Sequence, residues 1–115
     1  MKRPCPGARL AAIDVGSNSI RLLIAHYDPA TGLAPIDEIK AQPRLAQGLA
    51  ATGRLDPAAM ERALTALRRM ADVCRRRGAT TIAAVATAAV REAKNGDEFV
   101  RRVRDELGLP LQVIS

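Results

Sequence analysis

Aromatic residues are almost missing from this chain: there is no tryptophan, one tyrosine (Tyr27) and one phenylalanine (Phe99). Proteins that grip single strands or bases stack them on aromatic faces, so a nucleic-acid partner is not expected despite the basic balance. Cysteine is scarce as well. Cys5 lies in a Pro-rich leader and Cys74 in a helical pattern, which offers neither a disulfide framework nor metal-ligand spacing. Cys74 reads as a small buried hydrophobe. No apolar run approaches the ~20 residues of a membrane span, and Asp14 interrupts the amino-terminal apolar stretch before it reaches signal-peptide length. No membrane partner is expected, and the cytoplasm is the expected compartment. Repeats and low-complexity tracts are absent too.

What remains is one small domain's worth of chain, 115 residues, with charged residues at 26% and interleaved with apolar ones. That composition predicts a packed core, and the lack of aromatics makes it an aliphatic one. The formal charge is +6, nearly all of it arginine, whose planar fork suits phosphate oxygens. Arg68, Arg69, Arg75, Arg76 and Arg77 nevertheless fall on or beside the polar face of one predicted helix, where such side chains are ordinarily solvated. Charge alone decides little.

Residues 1–8 read as a flexible leader, and 9–115 as the folded part. Arg9 to Asp14 suits a buried strand; Ser19 to Tyr27 is a second, with Ile20, Leu22 and Ile24 on one face. A turn at Asp28–Gly32 leads to a weaker extended stretch over 34–45. Asp56 then caps a helix that starts at Pro57 and ends before Gly78, with Met60, Leu64, Leu67, Ala71 and Cys74 forming its apolar stripe. A strand over Thr81–Ala86 and a short helix over Ala88–Ala93 follow. Asn95 with Glu98 reads as a capping box for a last helix, on which Phe99, Val100, Val103 and Leu107 form the apolar face before Gly108. The chain closes on LQVIS, a strand just beginning, so a fragment of something larger is expected. The order predicted is βββ-αβ-αα-β, an α/β layer arrangement.

One segment asks for more than a fold. In AIDVGSNSIRLLIA (residues 12–25) an acid stands at the end of a strand and a small polar turn precedes the next strand. A buried carboxylate there is costly unless paired, hydrogen-bonded or bound to a metal. Gly16 is expected to supply φ > 0 and close approach, and Ser17, Asn18 and Ser19 offer short donors around an anion-binding nest. Asp14 for a hydrated metal beside that turn is a sensible pairing. The same residues are ordinary turn formers, and taken alone they favour a plain hairpin.

The segment resembles the first phosphate loop of the exopolyphosphatase/guanosine pentaphosphate phosphohydrolase family (Ppx/GppA), within the sugar kinase–Hsp70–actin superfamily. GLAATGRLDPAAMERALTALRRM and VATAAVREAKNGDEFVRRVRDELGLPLQVIS resemble the same family, and the three run in register from about Arg9 to Ser115. The resemblance implies a ribonuclease-H-like (actin-like ATPase) lobe, incomplete at its carboxyl end. It implies hydrolysis of terminal phosphoanhydride bonds of inorganic polyphosphate, or of the 5′ phosphate of guanosine pentaphosphate, with Mg²⁺. It allows a homodimer of the full-length parent.

By that resemblance Asp14 is catalytic and holds the metal or the nucleophilic water. Gly16, Ser17, Asn18 and Ser19 cradle a phosphate, and Arg91 is directed at the phosphate cleft, a role consistent with charge neutralisation in phosphoryl transfer. The residues admit plainer roles: Asp14 accepting from its own turn, Thr87 as a helix cap, Arg91 pairing with Glu92, Asp97 or solvent. His26 reads as structural, and Arg44 and Gly48 give only a faint cleft signal. Ala88 replaces a serine found in many relatives. The family's Gly-x-Glu-Glu segment, source of the general base, and its second loop, Asp-x-Gly-Gly-Gly-Ser, do not occur in the 115 residues, so the chain by itself is expected to be catalytically silent. The rival readings are an actin-like ATPase or sugar kinase lobe, and a non-catalytic basic anion-binding module.

Overall fold

The computed structural model describes residues 5–114, so the first four residues of the expected leader and Ser115 lie outside the described residues. Within that leader the Gly7 amide donates to the Tyr27 carbonyl (2.9 Å) and the Tyr27 amide to the Ala8 carbonyl (2.8 Å). These bonds join residues 7–8 to the end of the second strand.

Five strands form one sheet in the order β3-β2-β1-β4-β5: β1 (Arg9–Val15), β2 (Ile20–Asp28), β3 (Gly32–Ala41), β4 (Ala79–Ala86) and β5 (Leu111–Val113). The hairpins β1–β2 and β2–β3 are antiparallel, whereas β4 runs parallel to β1 and β5 parallel to β4. Alternation sets the faces. Ala11, Ile13, Val15, Ile20, Leu22 and Ile24 point to one side and are almost fully buried. Ala12, Asp14, Arg21, Leu23, Glu38 and Ala83 point to the other and are exposed.

Four helices connect or flank these strands among the described residues: α1 (Leu49–Thr52), α2 (Pro57–Arg76), α3 (Ala88–Glu92) and α4 (Gly96–Leu107). The β3→β4 and β4→β5 crossovers progress across the sheet in the same direction. Right-handed crossovers therefore place α2 and the α3–α4 pair over the same face, where all contribute to one hydrophobic cluster. The predicted stripe Met60, Leu64, Leu67, Ala71 and Cys74 is buried, and Phe99 with Val103 fills the α4 side. The Asp56 carboxylate accepts from the Ala59 amide at 3.2 Å, capping α2 behind Pro57.

Three expectations about the elements and their caps require correction. The weak stretch over 34–45 is a strand only to Ala41; Arg44–Ala46 instead turns against the β1–β2 loop. A one-turn helix, α1, stands between β3 and α2 because Gly48 and Gly53 bracket it in left-handed conformations (φ 79° and 72°). The Asn95–Glu98 capping box does not form. Asn95 precedes α4, but its side chain makes no cap bond; both ends of its carboxamide are engaged by the backbone of Leu55.

Candidate phosphate site

The carboxyl ends of the parallel strands β1, β4 and β5 lie side by side, since Val15 pairs with Ala86 and Ala86 with Val113. The β1–β2 turn, Gly16–Ser19, stands at this edge, and α3 begins there directly after β4. In open α/β sheets ligands bind at such carboxyl ends.

The turn is fastened from beneath. The Gly16 amide donates to the Ser19 carbonyl (2.9 Å), the Arg44 amide to the Asn18 carbonyl (3.0 Å) and the Ala46 amide to the Ser17 carbonyl (2.9 Å). Carbonyls are thereby tied inward, while the Ser17, Asn18 and Ser19 amides donate to no other described residue. Unengaged N–H groups on a braced turn are donors left available to an anion.

Gly16 plays a different part from the one expected. Its φ is not positive, and its own amide is used within the turn. What it supplies is close approach: an added Cβ would stand 3.1 Å from the Ser19 carbonyl oxygen.

Asp14 also departs from expectation, because it is exposed rather than buried. Ile13 and Val15 take the core side, so the pleat turns Asp14 to the open face, opposite Arg21 on β2 and Val85 on β4. Arg21 pairs with Glu38 at 3.5 Å, and the Asp14 carboxylate accepts no hydrogen bond from a described residue, its own turn included. A single free carboxylate suits Mg²⁺, which keeps most of its waters and completes its shell with substrate phosphate oxygens. No cluster of three or more metal-binding side chains occurs among the described residues.

Arg91 sits on α3 at the same edge. Its guanidinium donates to the Ile114 carbonyl (3.0 Å), just past β5, and lies 3.6 Å from the Glu92 carboxylate. The carbonyl bond holds it against the end of β5, while Glu92, the alternative partner considered from sequence, lies beside it on α3. Thr87 occupies the cap position of α3 without a side-chain cap bond; its amide donates to the Val15 carbonyl (3.2 Å). His26 lies far along β2, paired with Arg9 and Ala34, away from this edge.

Arg44 was nearly silent in the sequence. It adopts φ 53°, rare for a residue with a side chain, and braces the loop through its amide. No local pattern announces such a conformation outside glycine and asparagine.

Comparison with known proteins identifies the family. Residues 23–115 match the Ppx/GppA phosphatase family. Exopolyphosphatase 1 of Mycobacterium leprae (strain TN) is 33% identical over 106 residues, covering 92% of this chain and 31% of that protein. The crystal structure of the Aquifex aeolicus Ppx/GppA family member superposes with a TM-score of 0.89 at 36% identity, over 93% of this chain and 35% of that one. An exopolyphosphatase from Cytophaga hutchinsonii gives a TM-score of 0.87 at 26% identity, over 92% and 34%. The chain therefore spans about a third of the length of the relatives it matches. In sequence and in its ribonuclease-H-like lobe, the chain belongs to the Ppx/GppA phosphatase family.

Proposed function

We propose that this chain is the phosphate-binding lobe of a phosphatase that removes terminal phosphates from inorganic polyphosphate or guanosine pentaphosphate with the help of Mg²⁺. The observation that carries the reading is the loop: three unengaged amides, at Ser17, Asn18 and Ser19, on a turn braced by Arg44 and Ala46. Relatives named as exopolyphosphatases favour polyphosphate as the substrate.

In this reading the amides of residues 17–19 and the Arg91 guanidinium bind and orient the terminal phosphate. Asp14, free on the open face, holds Mg²⁺, which supplies charge neutralisation on the phosphate oxygens when bound. The 115-residue chain binds but does not turn over, the base for the attacking water being outside it.

Calorimetric titration with tripolyphosphate tests this. Binding is expected in the presence of Mg²⁺, and Asp14→Asn should remove the Mg²⁺ dependence without lowering the melting temperature. Absence of binding at millimolar tripolyphosphate, or an unchanged Mg²⁺ dependence in Asp14→Asn, would overturn it.

A further inference from the structure

Strand β3 is an edge of the sheet, and half of its main-chain groups are unused. Along an antiparallel ladder, successive residues turn their N–H and C=O to opposite sides. The Gly16 amide donates to the Ser19 carbonyl and the Tyr27 amide to the Ala8 carbonyl, so in the β1–β2 register Arg21 and Leu23 bond to β1. Ile20, Leu22 and Ile24 then bond to Ala41, Ile39 and Asp37, and the groups of Glu38 and Lys40 point outward. No described residue bonds to them. Pro35 and the bulge at Ile36 blunt the first half of the edge, but Asp37–Ala41 is regular strand.

A groove runs beside this edge, between β3 and α2. Its floor is Ile39, Ala66 and Val73, each half-buried. The helix runs antiparallel to the strand: Arg77 meets Asp37 at one end (3.2 Å) and Arg62 donates to the Pro43 carbonyl at the other (2.9 Å). The stretch between seats about six residues of extended chain, roughly 20 Å.

The free charge along the groove is of one sign. Asp37, Glu38 and Asp72 each have an arginine already, Arg77, Arg21 and Arg75 respectively. Arg69 and Arg76, exposed on the wall formed by α2, and Lys40 on the strand form no ion pair with a described residue.

We propose that the β3 edge and its groove dock an extended acidic segment of a partner protein, which joins the sheet as a sixth strand. Its main chain bonds to Glu38 and Lys40, an apolar side chain covers Ile39 and Val73, and carboxylates meet Arg69 and Arg76. A second copy of this chain fits poorly. Antiparallel pairing of β3 with itself sets two α2 helices side by side on one face, with their unpaired arginines together. Single-stranded nucleic acid also fits poorly, since no aromatic lines the groove to stack a base.

The test titrates the isotope-labelled chain with a blocked hexapeptide in which threonine alternates with glutamate, valine and glutamate, read by amide NMR shifts. The largest shifts are expected at Glu38 and Lys40. Arg69→Gln/Arg76→Gln should weaken binding about tenfold with a shallower salt dependence, whereas Arg101→Gln/Arg104→Gln on α4, which matches it in net charge, should not. Methylating alternate peptide nitrogens should abolish binding in one phase and spare it in the other, because only one set of amides faces the edge; the protein is unaltered in that comparison. Shifts that leave out Glu38 and Lys40, or binding that survives methylation in both phases, overturn the proposal. So do unchanged affinity in the groove variant, equal loss in the α4 control, and equal binding of the peptide with lysine in place of glutamate. Oligodeoxythymidylate shifting the same amides as tightly, or self-association of the free chain through them in sedimentation, overturns it in favour of a nucleic acid or a second copy.

Discussion

The Asn95 carboxamide holds Leu55 by both of its backbone groups, accepting from the Leu55 amide at 2.7 Å and donating to its carbonyl at 3.1 Å. Leu55 is buried and immediately precedes the Asp56 cap, so this pair fastens the start of α2 to the start of α4. A third bond, from the Lys94 amide to the Gly53 carbonyl (2.9 Å), runs beside it. Removing the amide leaves two part-buried backbone groups without partners, each costing about 1–3 kcal/mol. Asn95→Ala should lower the unfolding free energy by about 2 kcal/mol or more in urea titration. Asn95→Asp, which keeps the acceptor and loses the donor, should fall between the two.

Gly96 has no room for a side chain. An added Cβ would overlap the Val90 carbonyl oxygen, backbone that cannot swing aside. Gly96→Ala should force α4 away from α3 and cost about 3 kcal/mol or more, exceeding Asn95→Ala in the same titration.

Arg91, placed at the phosphate in the proposed reading, lies 3.6 Å from its neighbour Glu92. Glu92→Gln should release it and tighten tripolyphosphate binding modestly, whereas Arg91→Gln should weaken it. Because the Arg91–Ile114 bond is exposed, neither change should shift the melting temperature by more than a few degrees, equivalent to about 0.5 kcal/mol. Tripolyphosphate affinity unaffected by both variants would remove Arg91 from the site.

Glu106 is the charge that should couple stability to acid. Hydrogen bonds from Arg102 hold its carboxyl below the ordinary value of 4.5. Its contribution is present above that value and is lost as pH falls through the lower folded value. Arg102 itself, raised by the Glu106 and Glu61 hydrogen bonds, stays charged throughout. The drop in stability between neutral and acid pH should be smaller in Arg102→Gln than in wild type.

The two thiols should behave as opposites. Cys5 is exposed and Cys74 fully buried, and burial pushes the Cys74 thiol above its ordinary 9.0. An aromatic disulfide reagent should label Cys5 at once and Cys74 only as the chain unfolds. The folded protonated thiol also implies stability that is complete below pH 9.0 and declines as pH rises past it.

Local patterns carried much of the fold. Period-two alternation in Ile20–Ile24, the Asp56–Pro57 start of α2 and its apolar stripe act within a few residues of themselves, so the sequence displays them directly. The loop AIDVGSNSIRLLIA was likewise legible as a family signature, although its chemistry alone favoured a hairpin. The fold and family read from it hold.

Tertiary structure decided the rest. Asn95 beside Glu98 has every local mark of a capping box, yet its amide is claimed by Leu55, 40 residues away, because the packing of α4 against α2 brings a complete backbone donor–acceptor pair within reach. Asp14 is exposed because Ile13 and Val15 take the core side of the pleat. Gly16 needs closeness rather than a left-handed turn because Ser19 closes over it. The bracing of the loop by Arg44 joins segments far apart in the chain. Alternation, capping and turn chemistry act over a handful of residues and can be read along a line. Which amides stay free, which carboxylates are neutralised and which arginines share a groove depend on contacts that exist only once the sheet and helices have closed.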